Sequence, residues 1–360
     1  MYARPVSADL MPRVFSTAGL PAARRVELWE EHNATALIGL AVRTGPPLEA
    51  TECNVRLPRL HLARVTGSPH TVERTAGIIK RDPADAIAVY LSVRGRSWFS
   101  DADRTRLLFP GSVLLCETDR PFARGFDKGL DELVVRVPRQ ACAELIGAGR
   151  RGAGGCGTGL VPAPVVTSFG RGDGNPYARA LARITGNATR TWQPVPADER
   201  TVLDLVAVLL AGQRAGQTVA HRAAARSYIA DHLTDPDLGA AQIAVAVGIS
   251  ERQLSRVFAA DGTSVPRHIL SGRLELARSL LAGPDTGSVA DVAARCGFTS
   301  AAYFSHAFRE RFGQRAVDVR RETRAITGFP GPRAGFSFPP SGGRLLGAWP
   351  DARRESAPLV

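Results

Sequence analysis

A short stretch that begins at Ser250 presents side chains that could contact nucleic acid. In SERQLSRVF, the apolar residues Leu254, Val257 and Phe258 recur at helical spacing and predict one buried face. The opposite face then carries Arg252, Gln253, Ser255 and Arg256. The guanidinium of an arginine is a planar fork of N–H donors that suits phosphate oxygens and guanine edges. These four side chains are therefore candidates for contacts in the major groove of DNA.

A second stretch of the same kind, TSAAYFSHAFRERFG, begins at Thr299. Helical spacing predicts an apolar face formed by Phe304, Ala307, Phe308 and Phe312. The residues left outside are Thr299, Ala301, Ala302, Ser305, His306 and Arg309. An alanine offers only a methyl group for contact with thymine, and a histidine is largely neutral at pH 7. We therefore expect the first stretch, through Arg252 and Arg256, to carry more of the base specificity.

Each stretch is preceded by the same short pattern, so the two form an internal repeat. Gly248 and Gly297 lie 49 positions apart, and each follows an alanine by four residues. A glycine there suits the left-handed residue that ends a first helix and turns the chain toward a second. Ile249 and Phe298 follow the glycines and are predicted to fill the angle between the helices. The pattern predicts two helix-turn-helix modules, at 239–260 and 288–312.

Side chains that start helices are predicted in both modules. Ser250 is expected to begin the second helix of the first module, with Gln253 three residues later completing a capping box. Thr299 takes the same place in the second module but has no such partner.

One continuous helix is predicted between the modules, in SVPRHILSGRLELARSLLAGP, because apolar residues recur at helical spacing from Pro266 to Gly283. A helix of ~16 residues is ~24 Å long. The two modules would then enter successive segments of the major groove on one face of DNA.

This segment resembles the DNA-binding domain of the AraC/XylS family of bacterial transcription regulators. The first module and the linking helix match the family at Ala244, Gly248, Ser250, Leu254, Arg256, Phe258, Arg273, Leu274, Ala277 and Leu281. The second module matches it at Val292, Ala293, Gly297, Phe298, Tyr303, Phe304, Ser305, Phe308, Phe312 and Gly313. The chain departs from the family at Ala316, where a proline is usual, at His306, where a basic residue is usual, and at Ala301 and Ala302.

The resemblance implies a sequence-specific regulator that binds promoter DNA. It also implies activation of transcription through RNA polymerase, a homodimer and a small-molecule effector, whose binding residues the sequence does not identify.

The N-terminal part of the chain predicts an antiparallel sandwich or barrel. Short segments rich in Val, Ile and Leu lie in IKRDPADAIAVYLSVRG, SWFSDADRTRLLF, PGSVLLCE and DELVVRVP. Helical patterns flank them in RRVELWEEHNATAL and PRQACAELIGAG. The segment resembles the cupin-like regulatory domain of the same family at Trp29-Glu-Glu, Pro110-Gly111 and Val137-Pro138-Arg139.

The expected fold is α+β with several domains. A cupin-like effector-binding or dimerisation domain spans 20–150, a Gly-rich linker 151–174, and helical connectors 175–216. A stripe of Val202, Leu205, Val206, Leu209 and Leu210 in the connector packs either within the chain, which we favour, or on a second subunit. The all-helical DNA-binding domain spans 219–324, and a disordered tail 325–360.

Composition alone does not locate a binding surface. The 360 residues hold 46 basic and 34 acidic side chains, a net charge of +12, and only Lys80 and Lys128 are lysines. Residues 217–324 contribute 14 basic and 11 acidic side chains, so the excess is spread thinly along the chain. The arginine content is equally typical of a GC-rich genome.

Five scattered cysteines without a CxxC pair indicate free thiols in a reducing compartment. The sequence has neither a signal-peptide pattern nor an apolar run of about 18 residues. We therefore expect a cytoplasmic protein that does not enter a membrane.

Two alternatives to a regulator remain open from the sequence. A sandwich could house a metal enzyme, but its histidines His32, His61 and His70 form no His-x-His pair, and Glu117 has no second ligand at suitable spacing. His61 and His70 are expected on the surface or in loops. We expect no enzyme activity, metal or cofactor. The other alternative is an architectural protein that binds DNA without regard to sequence.

Overall fold

The computed structural model describes residues 12–45, 47–147, 163–170, 174–212, 217–283 and 287–327. Within these ranges, the strands and three α-helices occupy residues 13–168, and the part that follows is helical. The strands are β1 Arg13–Ser16, β2 Ala41–Arg43, β3 Ala50–Arg56, β4 His61–Gly67, β5 His70–Arg74, β6 Ala86–Arg94, β7 Ser97–Ser100, β8 Thr105–Leu108, β9 Ser112–Glu117, β10 Phe122–Phe126, β11 Leu130–Pro138 and β12 Val165–Ser168.

The strands form two antiparallel sheets that pack face to face. Over the described residues, the larger sheet has the order β1-β3-β4-β11-β6-β9-β12 and the smaller the order β2-β5-β10-β7-β8. This is the antiparallel sandwich that the sequence predicts. Strands β1 to β5, β10 and β12 lie in segments for which the sequence predicts no individual strand.

The central strands of the larger sheet are apolar on both faces. In β6, Ile87 and Val89 face one hydrophobic cluster, while Ala88 and Tyr90 face another. The first cluster includes residues of two helices in the connector, and the second lies between the sheets. Since alternate residues of a strand point to opposite faces, a sheet covered on both sides needs a continuous apolar run.

Helices cover the larger sheet. The sandwich carries α1 Arg25–Ala36, α2 Ala76–Arg81 and α3 Arg139–Gly147, and the connector carries α4 Pro176–Ala188 and α5 Glu199–Ala211. Asn175 accepts hydrogen bonds from the backbone N–H groups of Tyr177 and Ala178, which begins α4 with Pro176 in its first turn. The apolar stripe of α5 packs within the chain, against α3, α4 and helix α6 (Gln217–His232), in the same hydrophobic cluster as one face of the larger sheet.

The strand prediction around residue 80 is wrong at its start. Ile79, Lys80 and Arg81 belong to helix α2, and the strand begins only at Ala86. The Thr75 hydroxyl accepts a hydrogen bond from the Ile78 N–H and so caps the helix. Ile78 and Ile79 therefore belong to α2 and not to the sheet.

The prediction that His61 and His70 lie on the surface or in loops is also wrong. Both begin strands, and His61 is half-buried while His70 is buried. The Nδ1 atom of His70 lies 2.7 Å from the Ser68 carbonyl oxygen, and its ring packs 5.0 Å from that of Phe126. Burial lowers the pKa of His70.

The C-terminal half is helical, with α6 Gln217–His232, α7 Ala240–Val247, α8 Glu251–Ala259, α9 Val265–Leu281, α10 Val289–Arg295, α11 Ala301–Phe312 and α12 Ala316–Thr327. Two hydrophobic clusters divide it. The first turns of α9 contribute Val265 and Ile269 to the cluster of the first module. The rest of α9 contributes Leu274, Ala277 and Leu281 to the cluster of the second. The linking helix is therefore part of both cores.

The boundaries of the predicted linker and tail differ from the structure. Strand β12 lies inside the segment 151–174 and pairs with β9, so the end of this segment belongs to the larger sheet. The glycine-rich part, at 151–162, lies outside the described residues. Helix α12 continues three residues into the predicted tail, and the tail from 328 onward is also outside them.

Candidate nucleic-acid interface

The turn of the first module is fixed by Gly248. This residue ends α7 in the left-handed conformation with φ of 74°, which glycine adopts at little cost. The Ile249 N–H then donates to the Ala244 carbonyl over 3.0 Å, so the chain closes back on the helix it has just left. Ala244 is buried at this point, where its small side chain lets the two helices approach.

The second module repeats this geometry. Gly297 has φ of 82°, and the Phe298 N–H donates to the Ala293 carbonyl over 3.0 Å. Ala293 is buried, and the Phe298 ring packs 5.0 Å from the Phe304 ring. The internal repeat seen in the sequence is therefore a repeat of structure at the turn itself.

The caps of α8 and α11, the second helices of the two modules, differ from the predictions. The Ser250 hydroxyl accepts from the Gln253 N–H as expected, but the Gln253 side chain lies 3.3 Å from Nδ1 of His221 rather than completing a capping box. In the second module Ser300, not Thr299, caps the helix by accepting from the Tyr303 N–H. Either hydroxyl residue can cap a helix, so sequence alone leaves the position uncertain by one residue.

The full capping box of this half lies in α10 instead. The Asp291 N–H donates to the Ser288 hydroxyl over 3.1 Å, and the Ser288 N–H donates to Asp291 Oδ2 over 2.6 Å. These hydrogen bonds lower the pKa of the Asp291 carboxyl.

Helix α8 presents the predicted side chains to solvent. Leu254, Val257 and Phe258 are buried in the cluster of the first module. All four candidates on the opposite face are exposed: Arg252, Gln253, Ser255 and Arg256. Within the described ranges, no carboxylate lies within ion-pair distance of Arg252 or Arg256. Both guanidinium groups are therefore available to a partner outside the chain.

Helix α11 presents a surface with fewer hydrogen-bond donors. Phe304, Ala307 and Phe308 are buried, and the outward candidates are all exposed: Thr299, Ala301, Ala302, Ser305, His306 and Arg309. The Ser305 hydroxyl donates to the Ala301 carbonyl over 2.8 Å, so its proton is already used inside the helix. His306 Nδ1 lies 3.9 Å from Glu310 Oε2, which places a negative charge on the same face.

One exposed aromatic side chain on α11 is absent from the sequence-based set. Tyr303 is 55% exposed in the first turn of the helix. The sequence could have predicted this exposure. Neighbouring residues on a helix point about 100° apart, so the residue directly before the buried Phe304 points away from the core.

The linking helix holds the two modules in a fixed relation. It has 17 residues and is therefore ~26 Å long. Arg273 of α9 donates through Nε to the Leu233 carbonyl and through Nη2 to the Asp235 carbonyl, in the turn between α6 and α7. Arg311 of α11 pairs with Glu275 of α9 at 3.0 Å. Arg273, which the sequence matched to a known family, is thus a structural residue.

A buried ionic cluster joins the first module to the connector. Asp261 lies just after α8 and is approached by three arginines, with Arg226 at 2.7 Å, Arg200 at 2.9 Å and Arg222 at 3.3 Å. Arg222 also makes two hydrogen bonds to Asp204 of α5, which raise the pKa of its guanidinium. The end of the recognition helix is therefore tied to the helices that cover the sandwich.

In the described ranges, no group of three or more His, Cys, Asp or Glu side chains is arranged to hold a metal ion. No helix in these ranges is long and apolar enough to cross a membrane. The described cysteines, Cys53, Cys116, Cys142 and Cys296, are buried free thiols.

Comparison with known proteins agrees with this geometry. The model of a helix-turn-helix domain matches residues 243–322, and that of an AraC-binding-like domain matches residues 29–227. The chain is 26% identical to the transcriptional activator NphR of Rhodococcus sp over 276 residues, 73% of this chain and 78% of NphR. It is 34% identical to the transcriptional activator RhrA of Rhizobium meliloti over 94 residues, 26% of this chain and 30% of RhrA.

A solved structure of the AraC-like transcriptional activator CuxR is 22% identical, covers 73% of this chain and 94% of its own, and gives a TM-score of 0.42. The AraC-binding-like match alone spans more than half of the 360 residues. Together with the two helix-turn-helix modules, it shows that this chain is a DNA-binding transcriptional regulator of the AraC family.

Proposed function

We propose that the chain activates transcription at specific promoters by placing α8 and α11 in successive major-groove segments of double-stranded DNA. The observation that carries the proposal is the exposed face of α8, where Arg252 and Arg256 have no acidic partner among the described residues. An arginine in the major groove can donate two hydrogen bonds to one guanine. Activation is proposed because the relatives NphR and RhrA are named as transcriptional activators.

The two modules contribute unequally to base reading in this proposal. Arg252, Gln253, Ser255 and Arg256 make direct contacts to base edges, and Tyr303 and Arg309 add contacts from α11. Ala301 and Ala302 offer methyl groups only, and the Ser305 hydroxyl proton is already donated to the Ala301 carbonyl. The first module therefore sets most of the specificity, and the second mainly positions the protein on the phosphates.

The remaining parts of the proposal concern partners. The activator works in the cytoplasm as a homodimer that contacts RNA polymerase, and a small-molecule effector changes how its DNA-binding halves are presented. A ligand can do this only if its affinity differs between the two arrangements. The ion pairs around Asp261 link the connector to the end of α8, so a movement of the connector would also move α8.

The test is DNA binding by the full chain, measured by fluorescence anisotropy on a genomic operator and on a scrambled version of it. We expect a ratio of affinities of ~10³ or more at constant salt. We expect Arg256→Ala to reduce this ratio by about 5- to 150-fold, which corresponds to ~1–3 kcal/mol. The matched control is Arg94→Ala, since Arg94 is an exposed arginine of the sandwich that has no acidic partner in the described ranges.

Two outcomes contradict the proposal. Equal affinity for both DNAs, with the same steep loss at higher salt, indicates an architectural protein that binds without regard to sequence. An unchanged ratio in Arg256→Ala removes α8 as the helix that reads the bases.

A further inference from the structure

Two cavities of very different size lie in the described part of the chain. One, of about 50 Å³, lies inside the sandwich beside Tyr90 and Arg124. The other, of about 670 Å³, lies between the connector and the linking helix. Pockets for metabolite-sized ligands have volumes of about 300–1,000 Å³, so only the second has the size of such a ligand.

The larger cavity is walled by both halves of the chain. The β3–β4 turn and the connector contribute apolar groups, including Leu57, Ile184 and Val195. The DNA-binding half contributes Ile229 of α6, Leu233 directly after that helix, and Leu276 of α9. A ligand there would replace contacts with water by apolar contacts to both halves at once.

Charged groups at the rim of the cavity favour an anion. Of the three acidic groups, Glu199 pairs with Arg59 at 2.8 Å, Glu275 with Arg311 at 3.0 Å, and Asp198 caps α5. Each is therefore already engaged. Four arginines also line the cavity: Arg56, Arg183, Arg226 and Arg311.

Arg56 is the arginine left for a ligand. It is exposed at the end of β3, and its Nη2 donates to the Thr35 carbonyl over 3.4 Å. No carboxylate among the described residues lies within ion-pair distance of its guanidinium. Arg311 and Arg226 pair with Glu275 and Asp261, and Arg183 pairs with Asp231. A negative group near Arg56 would gain an attraction that the chain itself does not supply.

Neutral polar groups complete the wall. The Ser271 hydroxyl and the Asn187 side-chain amide face this region and have no hydrogen-bond partner within the described part of the chain. His268 is also in the wall, where burial lowers its pKa and favours the neutral ring. An apolar wall with a few polar groups is typical of small-molecule sites.

The cavity borders the ionic cluster that holds α8. Arg226 lines the cavity and also reaches Asp261 at the end of the recognition helix. Helix α6, which carries Arg226, packs through Ala223 on the sandwich side and through Ala225 and Ile229 on the side of the first module. A ligand against α6 therefore lies where both halves meet.

We infer that this cavity, rather than the interior of the sandwich, is the effector site, and that it takes an organic anion of metabolite size with an apolar body. The inference rests on the proposed effector response and gives it a location and a ligand class.

The test uses two fluorescent probes with the same rings, added to the full chain without DNA. The anionic probe is 8-anilinonaphthalene-1-sulfonate, and the neutral probe is N-phenyl-1-naphthylamine. We expect saturable binding of the anionic probe and at least tenfold weaker binding of the neutral one. Because no DNA is present, this result does not depend on whether the chain recognises an operator.

Variants locate the binding site. Ser271→Phe fills the cavity and is expected to weaken the anionic probe at least tenfold, whereas Ser271→Ala leaves it within about twofold. Arg56→Gln is expected to weaken the anionic probe about fivefold and the neutral probe hardly at all. Arg94→Gln is its matched control, since it removes an arginine at a strand end away from the cavity. Ala88→Val partly fills the small cavity in the sandwich and should have no effect.

Several outcomes overturn the inference. The first two are that the anionic probe does not bind saturably, or that the two probes bind equally well. The others are that the anionic probe binds fully to both Ser271→Phe and Arg56→Gln, or that only Ala88→Val loses its binding. Thermal unfolding of each variant shows whether it is folded. Arg56→Gln keeps the test decisive if Ser271→Phe does not fold, because Arg56 is exposed.

Discussion

Two arginines of the sandwich are buried and paired, whereas three on α8 and α11 are exposed and have no acidic partner in the described ranges. In the sandwich, Arg124 is 3% exposed and makes two hydrogen bonds to Glu132, which is equally buried. Arg74 is fully buried and donates to three backbone carbonyls and to Asp119. On α8 and α11, Arg252, Arg256 and Arg309 are exposed, and no acid pairs with them in the described ranges.

The difference explains why net charge does not reveal the DNA-binding surface. A guanidinium that pairs with a carboxylate stabilises the fold and presents little field to a distant phosphate. One that has no partner in the chain is available to a ligand. The two halves have similar excess charge, and what separates them is how many of their arginines are already neutralised.

The largest expected effect breaks a pair inside the sandwich. Glu132→Ala leaves the buried Arg124 without its carboxylate, while the Arg124 guanidinium still lies 3.9 Å from the centre of the Tyr90 ring. We expect the free energy of unfolding to fall by about 3–5 kcal/mol, because an unpaired buried charge is costly. Chemical denaturation of the full chain measures it.

Glu73→Ala is the matched control, because Glu73 pairs with Arg43 at 3.1 Å on the surface. An exposed pair contributes about 0–1 kcal/mol. If the two variants lose the same stability, burial does not distinguish the arginines of the sandwich from those of the surface.

The next effect concerns the arginines that have no partner. We expect Arg252→Ala combined with Arg256→Ala to reduce the preference for operator over scrambled DNA by about 2–4 kcal/mol, with stability changed by less than about 0.5 kcal/mol. Arg309→Ala combined with His306→Ala should reduce that preference by less than about 1 kcal/mol. Anisotropy titrations measure the preference, and a larger loss from the second pair would reverse the ranking of the modules.

A smaller loss of stability is expected from a change in the Asp261 cluster, which joins the connector to the first module. Asp261→Asn removes the charge that Arg200, Arg222 and Arg226 share, while Asp204 continues to pair with two of them. We expect stability to fall by about 1.5–3 kcal/mol.

If the cluster also orients α8, the same variant binds operator DNA more weakly at a temperature where it is fully folded. Asp131→Asn is the control, since Asp131 pairs with Arg64 in the sandwich, far along the chain from α8. Equal operator affinity in both variants would confine the Asp261 cluster to a structural role.

Sequence reasoning succeeded where local periodicity decides the structure. The buried faces of α8 and α11 follow from a 3.6-residue period, and the left-handed Gly248 and Gly297 follow from the residue type itself. Such features depend on neighbours within one or two helical turns. They account for the correct prediction of which side chains of α8 and α11 are buried and which are exposed.

Features that depend on distant residues were not predictable in the same way. Strand β12 lies in a short apolar run beside a glycine-rich stretch, and only its pairing with β9, some 50 residues earlier, makes it a strand. His70 is buried because β5 and β10 bring it beside Phe126. The pairing of Arg222 with both Asp204 and Asp261 likewise requires three separate elements to meet.

The smallest expected effect is on the pH dependence of stability, because protonation of the buried His70 at low pH would place an unpaired positive charge in the sandwich. Burial, together with the nearby Arg124, holds the pKa of His70 below its ordinary value of 6.5. Well above pH 6.5 the ring is neutral in both the folded and the unfolded state, so His70 gives no pH dependence there. As the pH falls below 6.5, the unfolded chain takes up the proton first, and the free energy of unfolding decreases.

His70→Gln should therefore make stability depend less steeply on pH between 6.5 and 5, although His61 and His268, whose pKa values are also lowered by burial, keep part of the slope. Denaturation midpoints across this range measure it. The positive charge of Arg124 is tolerated in the sandwich because Glu132 neutralises it, whereas no carboxylate in the described ranges lies within ion-pair distance of His70. If the free energy of unfolding of His70→Gln depends on pH as steeply as that of the unchanged chain, the sandwich accepts a second positive charge without a partner. Pairing with a carboxylate would then not explain the difference between the buried arginines of the sandwich and the exposed arginines of α8.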